Sequence, residues 1–198
     1  MTKPYTMKAL SELQERIERL EYYHPQYTIA EQNDPAYFIE TRIKVAGFPL
    51  ILHPEVAEFV YQLNRETEVT THNVGKGHGL TTGMLAYLVW KAYTKPGTYH
   101  VLATPKMYET MELMIHVAAM ARSIGPDVVR KVGRDIEFEN GSKILGISVS
   151  GNALGLHGVR GLTLSTIACD GFSKLSEARQ AEIALETGWR VDTQTILV

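Results

Sequence analysis

The sequence predicts an α/β fold with a mainly parallel central sheet flanked by helices, preceded by a small helical lead-in. Three observations predict it. From Val69 to Ser123 the stretches alternate as strand, helix, strand, helix, the order that lays crossover helices over a parallel sheet. Tyr99 to Thr104 and Leu164 to Cys169 are short apolar runs bounded by turn or polar residues, as buried strands are. Between the first strand and its helix, Gly75, Gly77 and Gly79 interrupt the chain in quick succession.

Taken in order, Thr6 to Tyr23 places Met7, Leu10, Leu13, Ile17 and Leu20 at helical intervals, which predicts an amphipathic helix docked on the body of the protein or on a neighbouring chain. Asp34-Pro35 reads as an N-cap followed by proline at the first helical position, opening a helix through Tyr37, Phe38 and Ile39. Gly47 to His53 is a short apolar extended run. Pro54 then starts another helix through Val56, Phe59, Val60 and Leu63. A strand over Val69 to Val74 leads to the glycines, and Met84, Leu85, Leu88, Val89 and Ala92 return at helical spacing. After a Lys95-Pro96-Gly97 turn and the strand Tyr99 to Thr104, Pro105 to Ser123 is a methionine-rich helix whose methionines fill an irregular core. Arg134 to Glu139 and Lys143 to Ser150 flank Asn140-Gly141, a strong hairpin signal. A glycine-rich loop from Gly151 to Gly161 carries Arg160; Leu164 to Cys169 is a strand ending at Asp170; Leu175 to Glu186 is a helix stopped by Gly188; Thr195 to Val198 begins a further strand. Because the sequence stops inside that strand, it is expected to be part of a longer protein.

A glycine-broken turn between a strand and a helix N-terminus suits a phosphate. Backbone N–H groups converge there, glycine lets the chain approach the anion closely, and the helix dipole favours negative charge. Thr81 and Thr82 would open the helix, where a hydroxyl can reach magnesium riding on phosphates. The usual pattern G-x-x-x-x-G-K-[ST] is met only in part. Leu80 stands at its lysine and Val74 at its first glycine, and the nearest cation is Lys76, on the strand side of the loop. The plain alternative is a strand-to-helix connection with no ligand.

Composition narrows the classes. With 198 residues, 44% hydrophobic and 21% charged, the chain is long enough to bury a core as one domain with an appendage. Its net charge of −2 supplies no global field for nucleic acid, so any DNA contact must be local. One cysteine, Cys169, excludes an internal disulfide and fits a reducing compartment. No apolar run reaches the roughly 20 residues that cross a bilayer, so no membrane partner is expected and cytoplasm is the default.

Over about Asp34 to Val198 the chain resembles the ATPase domain of the large terminase subunit, the motor that packages DNA in tailed phages. DPAYFIE is similar to the short helix before that motor, and KGHGLTTGMLAYLVW to its loop S-R-x-x-G-K-[ST], with Lys76 in the arginine's place. IEFENGSKILGISVS resembles its hairpin, GVRGLTLSTIACDGF its R-G-x-x-x-x-hydrophobic-D-E segment, and TGWRVDTQTILV the run into its coupling motif.

The resemblance implies a P-loop NTPase of the RecA/ASCE type, with a helical lead-in over 1–64 and the ATPase core over 65–198, and no nuclease domain. It implies ATP and Mg²⁺ as ligands and, as partners, a homo-oligomeric ring on a portal, double-stranded DNA and a small terminase subunit, in the cytoplasm of an infected host. Lys76, Gly77, His78, Gly79, Leu80, Thr81 and Thr82 would cradle the triphosphate; Thr81 and Asp170 would hold magnesium; Arg160 would act as an arginine finger on a neighbouring subunit's nucleotide.

Two departures limit the transfer. Gly171 stands where the family has the glutamate that orients the attacking water, and HPEVAEF lacks the glutamine of the adenine region. A degenerate module that binds nucleotide or serves structurally, with little hydrolysis, is therefore the second reading. Residue by residue the plainer roles also stay open: Lys76 as a solvated loop lysine, Arg160 as a tie within its loop, Asp170 as a strand-end cap, and His78 as a hydrogen-bonding side chain on the loop's rim.

Overall fold

The computed structural model describes residues 28–66, 68–70, 79–149, 164–181 and 194–198. The helix expected over Thr6 to Tyr23, the glycine-rich loop from Gly151 to Gly161 and the stop at Gly188 lie outside the described residues.

Thr28 starts helix α1, Ile29–Asn33, with a capping box: its hydroxyl accepts from the Glu31 amide while the Glu31 carboxylate accepts from the Thr28 amide. Asp34 caps α2, Pro35–Arg42, by accepting from the Tyr37 amide, with Pro35 at the first position. Glu31 is buried and paired with Arg42, which holds its carboxyl below the usual range and ties the two helices together. A small hairpin follows, β1 (Lys44–Val45) and β2 (Phe48–Pro49), turning on Ala46 and Gly47, both at positive φ. It takes up the first three residues of the extended run expected over Gly47 to His53, and Phe48 and Ile51 remain exposed. Helix α3 is Pro54–Arg65, with Val56, Phe59, Val60 and Leu63 buried at the expected spacing.

Of the strand expected over Val69 to Val74, the described part is β3, Glu68–Thr70, and residues 71–74 lie outside the described residues. Helix α4, Leu80–Thr94, is buried from Gly83 through Thr94, which is why its sequence is apolar nearly all round. β4 is Tyr99–Thr104 and α5 is Met107–Ile124. Met114 and Met120 fill the core, whereas Met107 and Met111 are partly exposed, so the methionine series is only half a core feature. An edge strand that sequence reading missed, β5 (Val129–Lys131), pairs antiparallel with β6 (Asp135–Phe138), and β6 pairs antiparallel with β7 (Lys143–Ser148). β8, Leu164–Cys169, and β9, Gln194–Leu197, complete the sheet.

Among the described residues the main sheet has seven strands in the order β3-β9-β8-β4-β7-β6-β5, parallel from β3 to β7. Side chains alternate across it. Leu102, Ala168 and Ile196 face the larger core under the helices, while Val101, Ala103, Ile167, Cys169 and Leu197 face a second core with Phe172 and Leu175. Burial pushes the Cys169 thiol up to about 12, which makes it an inert core residue.

Asn140 does more than turn the hairpin. Its side-chain amide donates to the Ala92 and Tyr93 carbonyls at 2.8 and 2.9 Å, satisfying the C-terminal end of α4. At the same end of the sheet, His100, Thr166 and Gln194 form a polar row across β4, β8 and β9. Lys91 reaches down from α4 to donate to Gln194 Oε1 at 2.7 Å, and the Gln194 amide donates to the carbonyls of Leu63 and Glu66. Burial, then the nearby Lys95, lowers Lys91 from 10.5 to about 8.

The sign of the Lys91 effect follows from linkage. Below pH 8 the ammonium is charged in both folded and unfolded chains and its burial opposes folding; above pH 8 the folded form discharges first, so stability rises towards pH 10.5. Lys91→Met removes this penalty while Tyr87 still donates to Gln194 Oε1 at 3.1 Å. Urea unfolding should show the variant more stable than wild type near neutrality, by up to about 3 kcal/mol, with the gap closing by pH 10. An equal gap at both pH values would mean that Lys91 is not the titrating group.

Candidate functional site

The site lies at the opposite end of the sheet, where the parallel strands finish. β4 feeds α5 on one side, and β8 leads to β9 on the other, so their adjacent C-terminal ends form a topological switch point. Asp170 follows β8 directly, its amide donating to the Ala103 carbonyl at 2.9 Å. Strand β9 separates β8 from β3, the strand that runs into the glycine-rich stretch.

Helix α4 begins at this crevice. Gly79 is its N-cap with φ +80° and, having no side chain, contributes no side-chain cap to the first-turn amides. Thr81 projects from that first turn, and its hydroxyl donates to Asp170 Oδ1 at 2.7 Å across 89 residues of sequence. Both side chains are half-buried. Thr82 lies beside them in the same turn, also half-buried. Leu80, at the lysine position of the motif, packs against the larger hydrophobic core. An aliphatic residue at the first helical position is thus accounted for by packing against that core.

Gly83 fixes how α4 sits. A methyl group there would come within 2.6 Å of Val56 Cγ1, so glycine lets α3 lie directly on the first turns of α4. Gly79 meets the same valine at 3.5 Å.

Of the residues singled out from sequence, Thr81 and Asp170 are brought into contact, and Gly79, Leu80 and Thr82 lie in the same turn as Thr81. Lys76, Gly77, His78 and Arg160 lie outside the described residues. Gly171 is buried at φ +74°, in the left-handed region that glycine favours, and leads into a 3₁₀ turn over Phe172–Lys174. Lys174 folds back over it: a methyl group on Gly171 would meet Lys174 Nζ at 3.2 Å, Lys174 Cδ at 3.3 Å and Pro105 Cδ at 3.4 Å. Sequence reading passed over Lys174, since nothing in its spacing announces that a 3₁₀ turn will return its amine to the end of β8.

Solved structures with a similar fold include phage large terminases. The crystal structure of the HK97 bacteriophage large terminase superimposes with a TM-score of 0.65 at 16% identity, covering 84% of this chain and 37% of that one. The large terminase ATPase domain of Thermus phage P74-26 matches with a TM-score of 0.53 at 14% identity, covering 70% of this chain and 62% of that domain. This chain has the fold of a terminase ATPase domain. It spans only 37% of the HK97 terminase and 62% of the P74-26 domain. No family model matches the sequence, and no curated protein does. Among the described residues, no helix of this terminase-like fold is long and apolar enough to cross a membrane.

Two measurements test the geometry. A double-mutant cycle of Thr81→Val and Asp170→Ala, read by chemical unfolding, should give a coupling of about 1–2 kcal/mol for a part-buried hydrogen bond to a carboxylate; additivity would show that the pair does not touch. Gly83→Ala should destabilise by about 1–3 kcal/mol, although alanine is the better helix former by roughly 1 kcal/mol. Adding Val56→Ala should return part of the loss, and a Gly83→Ala chain as stable as wild type would contradict the close packing of α3 on α4.

Proposed function

We propose that this chain is an ATPase motor domain of a viral terminase large subunit, binding ATP with Mg²⁺ and serving DNA translocation into a procapsid. The observation that carries the reading is the Thr81–Asp170 contact at the switch point of a terminase-like sheet. A threonine hydroxyl from a helix N-terminus and a carboxylate from a strand end form a hard-oxygen pair of the kind that suits magnesium. Thr81 and Asp170 would hold the ion, which when bound neutralises charge on the phosphates. The first-turn amides of α4, to which Gly79 offers no side-chain cap, would face the anion, and Lys76, Gly77, His78, Gly79, Leu80 and Thr82 would complete the cradle. Arg160 is the proposed arginine finger towards a neighbouring subunit in a ring on the portal, with double-stranded DNA and a small terminase subunit as further partners and the infected cell's cytoplasm as the setting.

Within this reading, binding comes before turnover. Position 171 carries no base to orient water, and an absent positioned base lowers the rate by a factor of about 100 to 10,000. The degenerate reading, a nucleotide module that hydrolyses little, draws its support from this same feature.

Calorimetric titration and thermal shift with ATP·Mg²⁺ test the proposal. At a ligand concentration about 100 times the dissociation constant, binding adds about 2.7 kcal/mol, a rise of roughly 5–10 °C for a chain of this size. Thr81→Val and Asp170→Asn should each reduce affinity about tenfold or more with magnesium present, and much less without it. Phosphate release should be slow in wild type. A wild-type chain with no heat of binding and no thermal shift would end the nucleotide reading.

A further inference from the structure

Leu80 leaves the described part of the phosphate site without the cation that usually meets a triphosphate there, because its side chain packs into the core. Lys174 lies beside Gly171, just past the end of β8. The left-handed turn at Gly171 and the 3₁₀ turn after it, closed by the Lys174 amide donating to the Gly171 carbonyl at 3.0 Å, bring its stem back across buried Gly171. The ammonium thus lies 3.2 Å from where a side chain at position 171 would start, one residue beyond the carboxylate that accepts from Thr81.

Among the described residues no carboxylate lies within ion-pair reach of this ammonium, and it is exposed, so its charge is available to a ligand. Lys106, which follows Pro105 at the end of β4, is otherwise engaged, with its amine 5.7 Å above the Tyr108 ring. Gly171 and Lys174 are neighbours in space: a Cβ at 171 would crowd the amine at 3.2 Å.

We propose that Lys174 is a phosphate-binding residue of this site, meeting the terminal phosphate of ATP from the Asp170 side and supplying the charge that Leu80 cannot. The proposal rests on the nucleotide reading above. It makes the loss of the carboxylate at 171 and the gain of a cation above it a single exchange, in which the water-orienting group gives way to a phosphate-binding one. An ammonium acts as a point charge on a flexible stem, so arginine at 174 retains the interaction and glutamine loses it.

An acyl-phosphate derivative of ATP, applied with Mg²⁺ to the whole chain and followed by peptide mass spectrometry, reads the geometry. A lysine amine beside the terminal phosphate attacks the acyl carbon, keeps the acyl group as an amide, gives up a proton to solvent and releases ATP. Label should appear at Lys174 and vanish under excess ATP. By calorimetry, Lys174→Gln should weaken ATP·Mg²⁺ binding about tenfold while Lys174→Arg stays within about twofold of wild type. Because Lys174 is exposed, both variants should unfold at the wild-type temperature. Label confined to Lys76, or unchanged affinity in Lys174→Gln alongside clear wild-type binding, would overturn the role of Lys174 alone. A wild type that fails to bind ATP would overturn it together with the nucleotide reading.

Discussion

Helix α4 is held at both ends by partners distant in sequence, and the rest of the structure depends on that clamp. At its N-terminus Thr81 donates to Asp170 at the end of β8; at its C-terminus Asn140 donates to the last carbonyls from the turn between β6 and β7. A helix buried from Gly83 to Thr94 has its backbone ends in or near the interior, where unmet amides and carbonyls are expensive. The C-terminal end is met by a side chain. The N-terminal end begins at a left-handed glycine, which offers no side-chain cap.

The polar row beneath α4 belongs to the same construction. Lys91, Tyr87 and Gln194 connect the helix to β9 and to the Leu63 carbonyl in the last turn of α3, just ahead of the strand β3. His100, driven by burial and then by Lys91 and Lys95 down to about 3, stays neutral in the same row, accepting or donating at Thr98 Oγ1 over 2.8 Å. A hydrocarbon in place of Lys91 would pack without its desolvation penalty. The ammonium is tolerated because Gln194 accepts from it and the Tyr87 ring lies 5.7 Å away.

Much of this was legible in the sequence, and the failures have identifiable physical causes. Asp34-Pro35 and Pro54 marked helix starts because capping and proline act locally, and Tyr99 to Thr104 and Leu164 to Cys169 were bounded as strands because burial on both faces makes them mostly apolar. Asn140-Gly141 announced a turn, but its reach to α4 is tertiary and has no local signature. The edge strand β5, Val-Arg-Lys, lacks the apolar alternation of a half-buried strand, and the β1–β2 turn uses Ala46 at positive φ, a residue that propensity disfavours there. Helix α5 starts two residues after Pro105 because Thr104 bonds to the Lys106 carbonyl and to Thr110, holding the chain extended at that point. At the site, Thr81 and Asp170 were readable as residue types; their contact required the strand order, which periodicity does not supply.

Position 171 shows where motif reasoning and backbone geometry part. Aligned as letters, the chain has a glycine in a slot for glutamate, and one substitution would seem to refill it. The backbone says otherwise. At φ +74° an L-residue is disfavoured by roughly 1–2 kcal/mol, and its Cβ would crowd Lys174, with Nζ at 3.2 Å and Cδ at 3.3 Å. Restoring the ordinary conformation would mean undoing the turn from Asp170 to Leu175, whose amides at 172, 174 and 175 donate to Val198, Gly171 and Phe172. One of these bonds ties the turn to the end of β9. The glycine is therefore part of a locally consistent design in which turn, sheet edge and lysine agree, and such agreement across levels is what distinguishes an adapted conformation from a damaged one.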